Sequence, residues 1–139
     1  MLKTILSIAG RPGLFKLISH GKGMLIVEAI SPDKKRSPAY ASDRITSLAD
    51  IAIYTETAEV PLKEVLVSIK TKEESKPLSF NYKKAKPEEL REYMGEVLAD
   101  FDRDRVHISD IKKLLSWYNI LIENDLVDFD KEEETEEEE

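Results

Sequence analysis

Beyond its first ten residues, the hydrophobic pattern of this chain changes period near Glu59 and Pro61. A chain that switches from strand-like to helix-like spacing and stays there is limited to a β-rich part followed by a helical one. Before the switch, residues 14–19 and 24–30 are apolar, β-prone runs joined by His20-Gly21-Lys22-Gly23. Glycines at such a junction tolerate the positive φ of a hairpin turn, so two antiparallel strands are expected. Residues 31–38 hold two prolines and three consecutive cations and read as a polar loop, and residues 39–41 follow as a short strand. Residues 42–50 read as a loop with one helical turn, and residues 51–55 as the last β segment. Leu2, Ile5, Leu6 and Ala9 recur at helical spacing ahead of Gly10, which predicts a short N-terminal helix. A helix, four or five short strands and a single turn before the last strand is the order of a small SH3-like or Sm-like β-barrel.

After the switch, Pro61 suits a first helical position, with Leu62, Val65, Leu66 and Ile69 following on one face. That helix is expected to stop near residues 72–75, before an irregular stretch with an extended piece at residues 78–82. Pro87 opens a second helix, with Glu88 and Glu89 in its first turn and Leu90, Tyr93, Met94, Val97, Leu98 and Phe101 on one face. Ser109 caps a third, whose stripe is Ile111, Leu114, Leu115, Tyr118, Leu121 and Ile122. Trp117 and Ile120 widen that stripe. The expected organisation is therefore α+β: a small β-barrel domain with a short N-terminal helix at residues 1–59, a three-helix segment at 60–127, and a disordered acidic tail at 128–139.

Charge is distributed unevenly. The net charge is −7, yet residues 1–50 carry eight basic side chains against four acidic ones, and the last twelve residues carry nine acids against Lys131 alone. A segment of that composition cannot bury apolar surface. One role for it is solubility; another is to fold back over basic loops and compete with an anionic ligand, a contact that salt would screen.

Several chemistries lack their residues. With no cysteine there is no disulfide, thiolate nucleophile or thiolate metal site, and a reducing cytoplasm is the expected compartment. The N-terminal apolar run is far shorter than the about 20 residues of a membrane span and reads as mature structure, and no membrane partner is expected. Asp100-Phe-Asp102-Arg-Asp104 opens like a calcium loop, but its sixth position is Arg105 and its twelfth Ile111, where glycine and a bidentate glutamate are required. It reads as a polar connection with local Asp–Arg pairs. His20 and His107 fall in different halves, and no Gly-x-Ser-x-Gly elbow occurs. Gly10-Arg-Pro-Gly13 and Gly21-Lys-Gly23 read as turns, without the Gly-Lys-Ser/Thr ending of a phosphate loop. No catalytic residue, metal site or cofactor is expected.

The runs ILSIAGRPGLFKLIS, ITSLADIAIYT, VPLKEVLVSI and FDRDRVHISDIKKLLSWYN, in that order, resemble an uncharacterised conserved protein family of Bacteroidetes, classed as a domain of unknown function. The resemblance covers residues 1 to about 129 and implies a two-part, bacterial, cytoplasmic protein. It brings no activity, substrate or cofactor with it.

What remains is a non-catalytic protein-binding or adaptor module of the bacterial cytoplasm, engaging a protein partner or a second copy of itself through its wide helical stripes. The alternative is RNA or single-stranded DNA binding through the basic face around Lys34, Lys35, Arg36 and Tyr40, with cations on phosphates and the aromatic ring on a base.

Overall fold

The computed structural model describes residues 4–31, 33–40, 42–124 and 126; the acidic tail expected to be disordered lies outside them. Among the described residues seven strands precede three helices: β1 (Ile5–Ile8), β2 (Arg11–Gly21), β3 (Met24–Ala29), β4 (Arg36–Tyr40), β5 (Ile45–Ser47), β6 (Ala52–Tyr54), β7 (Glu59–Pro61), α1 (Leu62–Lys72), α2 (Pro87–Val97) and α3 (Ile108–Glu123), with a 3-10 turn at Leu48–Asp50. The first five strands form one antiparallel sheet in the order β4-β3-β2-β1-β5, and β6 pairs with β7 in a separate ribbon.

This sheet is open, which corrects the SH3-like or Sm-like barrel expected from the element order. Closure would require the edge strands β4 and β5 to pair. The segment expected to finish the barrel, residues 51–55, instead pairs Ile53 with Val60 and makes a bridge from Thr55 to Phe101, so it belongs with the helices. The sheet nevertheless curls strongly. Arg11, at the start of β2, reaches across to β4, where its guanidinium donates to Ser37 Oγ at 2.6 Å and to the Pro38 carbonyl at 3.3 Å. A side chain spans the seam that backbone pairing leaves open.

The N-terminal helix is also corrected: residues 5–8 are strand β1, held between β2 and β5. Ile5 faces one buried cluster and Leu6 and Ile8 another. A strand buried on both faces reads as a continuous apolar run, which spacing alone does not separate from a helix turn. Likewise β4 begins at Arg36, inside the expected loop. Pro38 is compatible with it because β4 is an edge strand, where a missing N–H costs no ladder bond.

The helices take their expected places with shifted ends. Pro61 closes β7 and caps α1 from outside it. At α2 and α3 the third helical residue reaches back to the cap, Glu89 Oε1 accepting from Lys86 N at 2.9 Å and Asp110 Oδ2 from His107 N at 3.0 Å. His107, rather than Ser109, is therefore the cap of α3. Residues 78–82 form bends and turns rather than a strand.

One large buried cluster joins the two parts of the chain. Ile5, Leu14 and Leu48 from the sheet region pack with Leu66 and Ile69 of α1, Leu90 and Met94 of α2, Phe101, and Leu114, Leu115, Tyr118 and Leu121 of α3. The wide helical stripes thus cover one face of the sheet. On its other face Leu6, Ile8, Phe15, Val27 and Ala39 form a smaller cluster, with the Arg11 guanidinium 4.9 Å from the Phe15 ring centroid.

Candidate functional site

The expected basic face is only partly assembled. Strand alternation puts Arg36, Pro38 and Tyr40 on the same, exposed side of β4, and Tyr40 is 50% exposed. Register places Lys16, Glu28 and Arg36 in one row across three strands, and Arg36 Nε donates to Glu28 Oε2 at 3.1 Å. A carboxylate therefore sits between the cations. Lys34 occupies a turn at φ 47° and lines a depression of about 130 Å³ with Lys16, Glu28, Ile30, Asn124 and Leu126. Lys35 is exposed, and its carbonyl accepts from Ala29 N at 2.8 Å. Nearby, the hydroxyl of Ser31 donates to Asp33 and holds that carboxyl below its usual range.

A better-formed site lies between β6 and α3. Ile51, Ala52, Ile53 and Tyr54 make one wall of a groove of about 230 Å³, and Asp110, Lys113, Leu114 and Trp117 the other, with Leu62 and Val106 at its floor. Positions 110, 113, 114 and 117 fall on one helix face, which is why they line a single surface. Four consecutive residues on the strand side include both alternating faces, so the groove meets the edge of β6. Arg105 closes one end: its guanidinium lies 4.4 Å from the Tyr54 ring centroid and its Nε donates to Asp102 Oδ2 at 2.8 Å. That ion pair holds the Asp102 carboxyl below its usual range and raises Arg105. Asp102 also accepts from Asp104 N and Arg105 N, so the calcium-like Asp-x-Asp-x-Asp run is used in building this turn. Sequence reading places Trp117 beside its stripe but does not find the groove, because it assigns residues 51–55 to a barrel. Pro61 reads in the sequence as a helix start, so the pairing of β6 with residues 59–61 carries no local sign.

A second, broader depression of about 400 Å³ lies along α2, with Phe80, Ala85 and Tyr93 at its base and Glu89, Glu92 and Glu96 along the helix. Its polar groups are largely engaged. Tyr93 donates to Glu73 Oε2 at 2.6 Å, Lys72 Nζ lies 2.7 Å from Glu96 Oε1 and 5.4 Å from the Tyr93 ring centroid, and Phe80 packs on Tyr93 at 5.1 Å. Burial, then the Glu73 carboxylate, raises the Tyr93 phenol; Glu96 raises Lys72.

Among the described residues no group of three or more His, Asp or Glu side chains is placed to hold a metal ion, and no helix is long and apolar enough to cross a membrane. Residues 51–121 match the family model described as a domain of unknown function, DUF6852. The chain belongs to the DUF6852 family. A second family model, also a domain of unknown function (DUF5606), matches residues 2–48 ahead of it. The chain is similar to a protein of Bacteroides vulgatus whose solution NMR structure was solved by a structural genomics consortium: 63% identity, 93% of this chain and 91% of that one covered, TM-score 0.78. This bears out the resemblance seen in the sequence runs. No curated protein is detectably similar. The β6–α3 groove lies wholly within the DUF6852 match, and Lys34, Lys35, Arg36 and Tyr40 within the DUF5606 match.

Proposed function

We propose that this DUF6852 protein is a non-catalytic binding module of the bacterial cytoplasm that takes a protein partner in the groove between β6 and α3. The observation that carries this reading is the groove's composition: Trp117, Tyr54, Ile51 and Leu114 around a narrow opening, bordered by Arg105, Lys113 and Asp110. Aromatic and arginine anchors in a partly desolvated cleft are the residues that dominate protein interfaces. At about 230 Å³ the groove is below the roughly 300–1,000 Å³ typical of small-molecule sites. The phenols that shift, Tyr93 and Tyr118, move away from neutrality, the reverse of what a general base needs.

The test is selection from a random peptide library against the full chain. Enriched peptides should change the emission of Trp117, the single tryptophan, and should bind Tyr54→Ala about tenfold or more weakly, a hot-spot-sized effect. Failure to enrich any peptide, or equal affinity for Tyr54→Ala, removes the reading.

A second reading rests on Tyr40, half exposed on the same face as Arg36: single-stranded nucleic acid lying on the outer side of β3 and β4. Poly-pyrimidine RNA should then bind with an affinity that falls steeply between 50 and 200 mM salt. Loss of that binding in a Lys34/Lys35/Arg36→Ala variant would place it there, and no binding to the full chain would dispose of it.

A further inference from the structure

We propose that the occupant of the groove is an extended peptide that adds as a strand to the open edge of β6, carrying an acidic side chain toward Lys113; this rests on the protein-binding reading of the groove. The argument is one of hydrogen-bond parity. Leu62 N donates to the Ile51 carbonyl at 2.9 Å and Thr55 N to the Ala58 carbonyl at 2.8 Å, and Ile53 pairs with Val60. Odd-numbered residues of this segment therefore turn their backbone groups toward β7. In an antiparallel pair the intervening residues turn theirs the other way, so Ala52 N–H and C=O and Tyr54 N–H point away from β7, along the open edge of a strand whose residues line the groove. Pro61, opposite Ala52, has no N–H to offer, in keeping with that phase.

This outward edge already accepts backbone at one end. Asp102 N donates to the Tyr54 carbonyl at 2.9 Å and Glu56 N to the Asp100 carbonyl at 2.9 Å, around the antiparallel bridge of Thr55 with Phe101. The chain then turns away at residues 103–105, where Arg105 N and Val106 N take up the Asp102 carbonyl. Among the described residues no backbone continues the ladder opposite Ala52. An unpaired edge beside an apolar wall is the arrangement that captures extended peptides, main-chain bonds supplying affinity and alternate side chains specificity. Side chains on one side of the added strand would rest on Trp117 and Leu114. Charge selects the other requirement. One oxygen of Asp110 accepts from the His107 N–H, and Arg105 is engaged by Asp102 and Tyr54, which leaves the exposed Lys113 as the cation that meets the ligand.

The experiment uses the library-selected peptides and the full chain. Backbone N-methylation at successive positions of the tightest peptide should weaken binding about tenfold or more at alternate residues and little at those between, because only every second residue of a strand bonds to a given neighbour. Amide exchange at Ala52 and Tyr54 should be fast in the free protein and slowed by the peptide, and Lys113→Glu should weaken acidic peptides several-fold. Peptides that shift Trp117 but tolerate N-methylation throughout would overturn strand addition and leave the groove as a side-chain docking site. Slow exchange at Ala52 and Tyr54 without peptide would overturn it as well, by showing the edge already closed. If no peptide reaches Trp117, the protein-binding reading falls and this inference with it.

Discussion

Thr55, only 2% exposed, is the one buried residue among those described that is neither apolar nor aromatic, and its hydroxyl carries the β6–β7 turn. It donates to the Ala58 carbonyl at 2.9 Å and accepts from Ala58 N at 2.8 Å and Thr57 N at 3.3 Å. Thr55→Val keeps the shape and removes all three bonds, so it should cost about 1–3 kcal/mol, read as a lowered urea midpoint with unchanged slope. Tyr118 supplies a second prediction at this scale. Its hydroxyl donates to the Lys76 carbonyl at 2.7 Å, and burial, helped by Glu73, pushes the phenol up to about 12. Because the folded value lies above the ordinary 10, the native state holds the proton more tightly; that stability is fully present below pH 10 and is lost as pH rises toward 12. Melting temperature followed from pH 8 to 12 should fall over that window, less so in Tyr118→Phe. Both Tyr118 and Tyr93 stand on legible helical stripes. Their hydroxyl partners are not legible, since Lys76 is 42 residues from Tyr118 and Glu73 is 20 from Tyr93.

Helices are easier to read than strands here, and the reason lies in how each is buried. α1, α2 and α3 each show one apolar face to a single cluster, so their 3.6-residue period survives in the sequence. β1 and the stretch of β2 at residues 14–15 are enclosed from both sides, with Ile5 and Leu14 turned one way and Leu6 and Phe15 the other, which erases the two-residue alternation there. The groove escapes sequence reading for a related reason: it is built by a strand edge, and edges leave no side-chain signature. At this scale Leu66→Ala, which empties a fully buried position of α1, should cost about 2–5 kcal/mol in denaturant unfolding. Glu89→Ala removes only the acceptor for the Lys86 N–H at an exposed helix start and should cost about 1 kcal/mol or less, measured in the same way.

In the molecule as a whole, the boundary between the two family matches, at residues 48–51, runs through the larger of the two buried clusters, while the smaller lies within the first match. Leu48 itself is fully buried among residues of both, together with Ile5, Leu14, Leu62 and Leu66. Unfolding should accordingly be one transition: the emission of Trp117 in α3 and the far-ultraviolet signal of the whole backbone should share a urea midpoint. Two resolved midpoints would show that the sheet and the helices melt apart. The order of elements is legible because each run and turn is local. Closure of the sheet is not, since it depends on where the segment around Ile53 finds a partner, and that choice is made by Val60 and Phe101 together.

The bridge from Arg11 to β4 bears on how the protein keeps to itself in a crowded solution. An edge strand with free carbonyls and N–H groups is a template for joining molecules into aggregates. Here Pro38 brings no N–H to that rim, its carbonyl is capped by a guanidinium from its own sheet, and the capping group carries a charge that a neighbouring strand would have to displace. Replacing Arg11 with a shorter neutral side chain would uncap the rim without emptying the core, and the expected symptom is turbidity on storage at high concentration with little change in melting temperature.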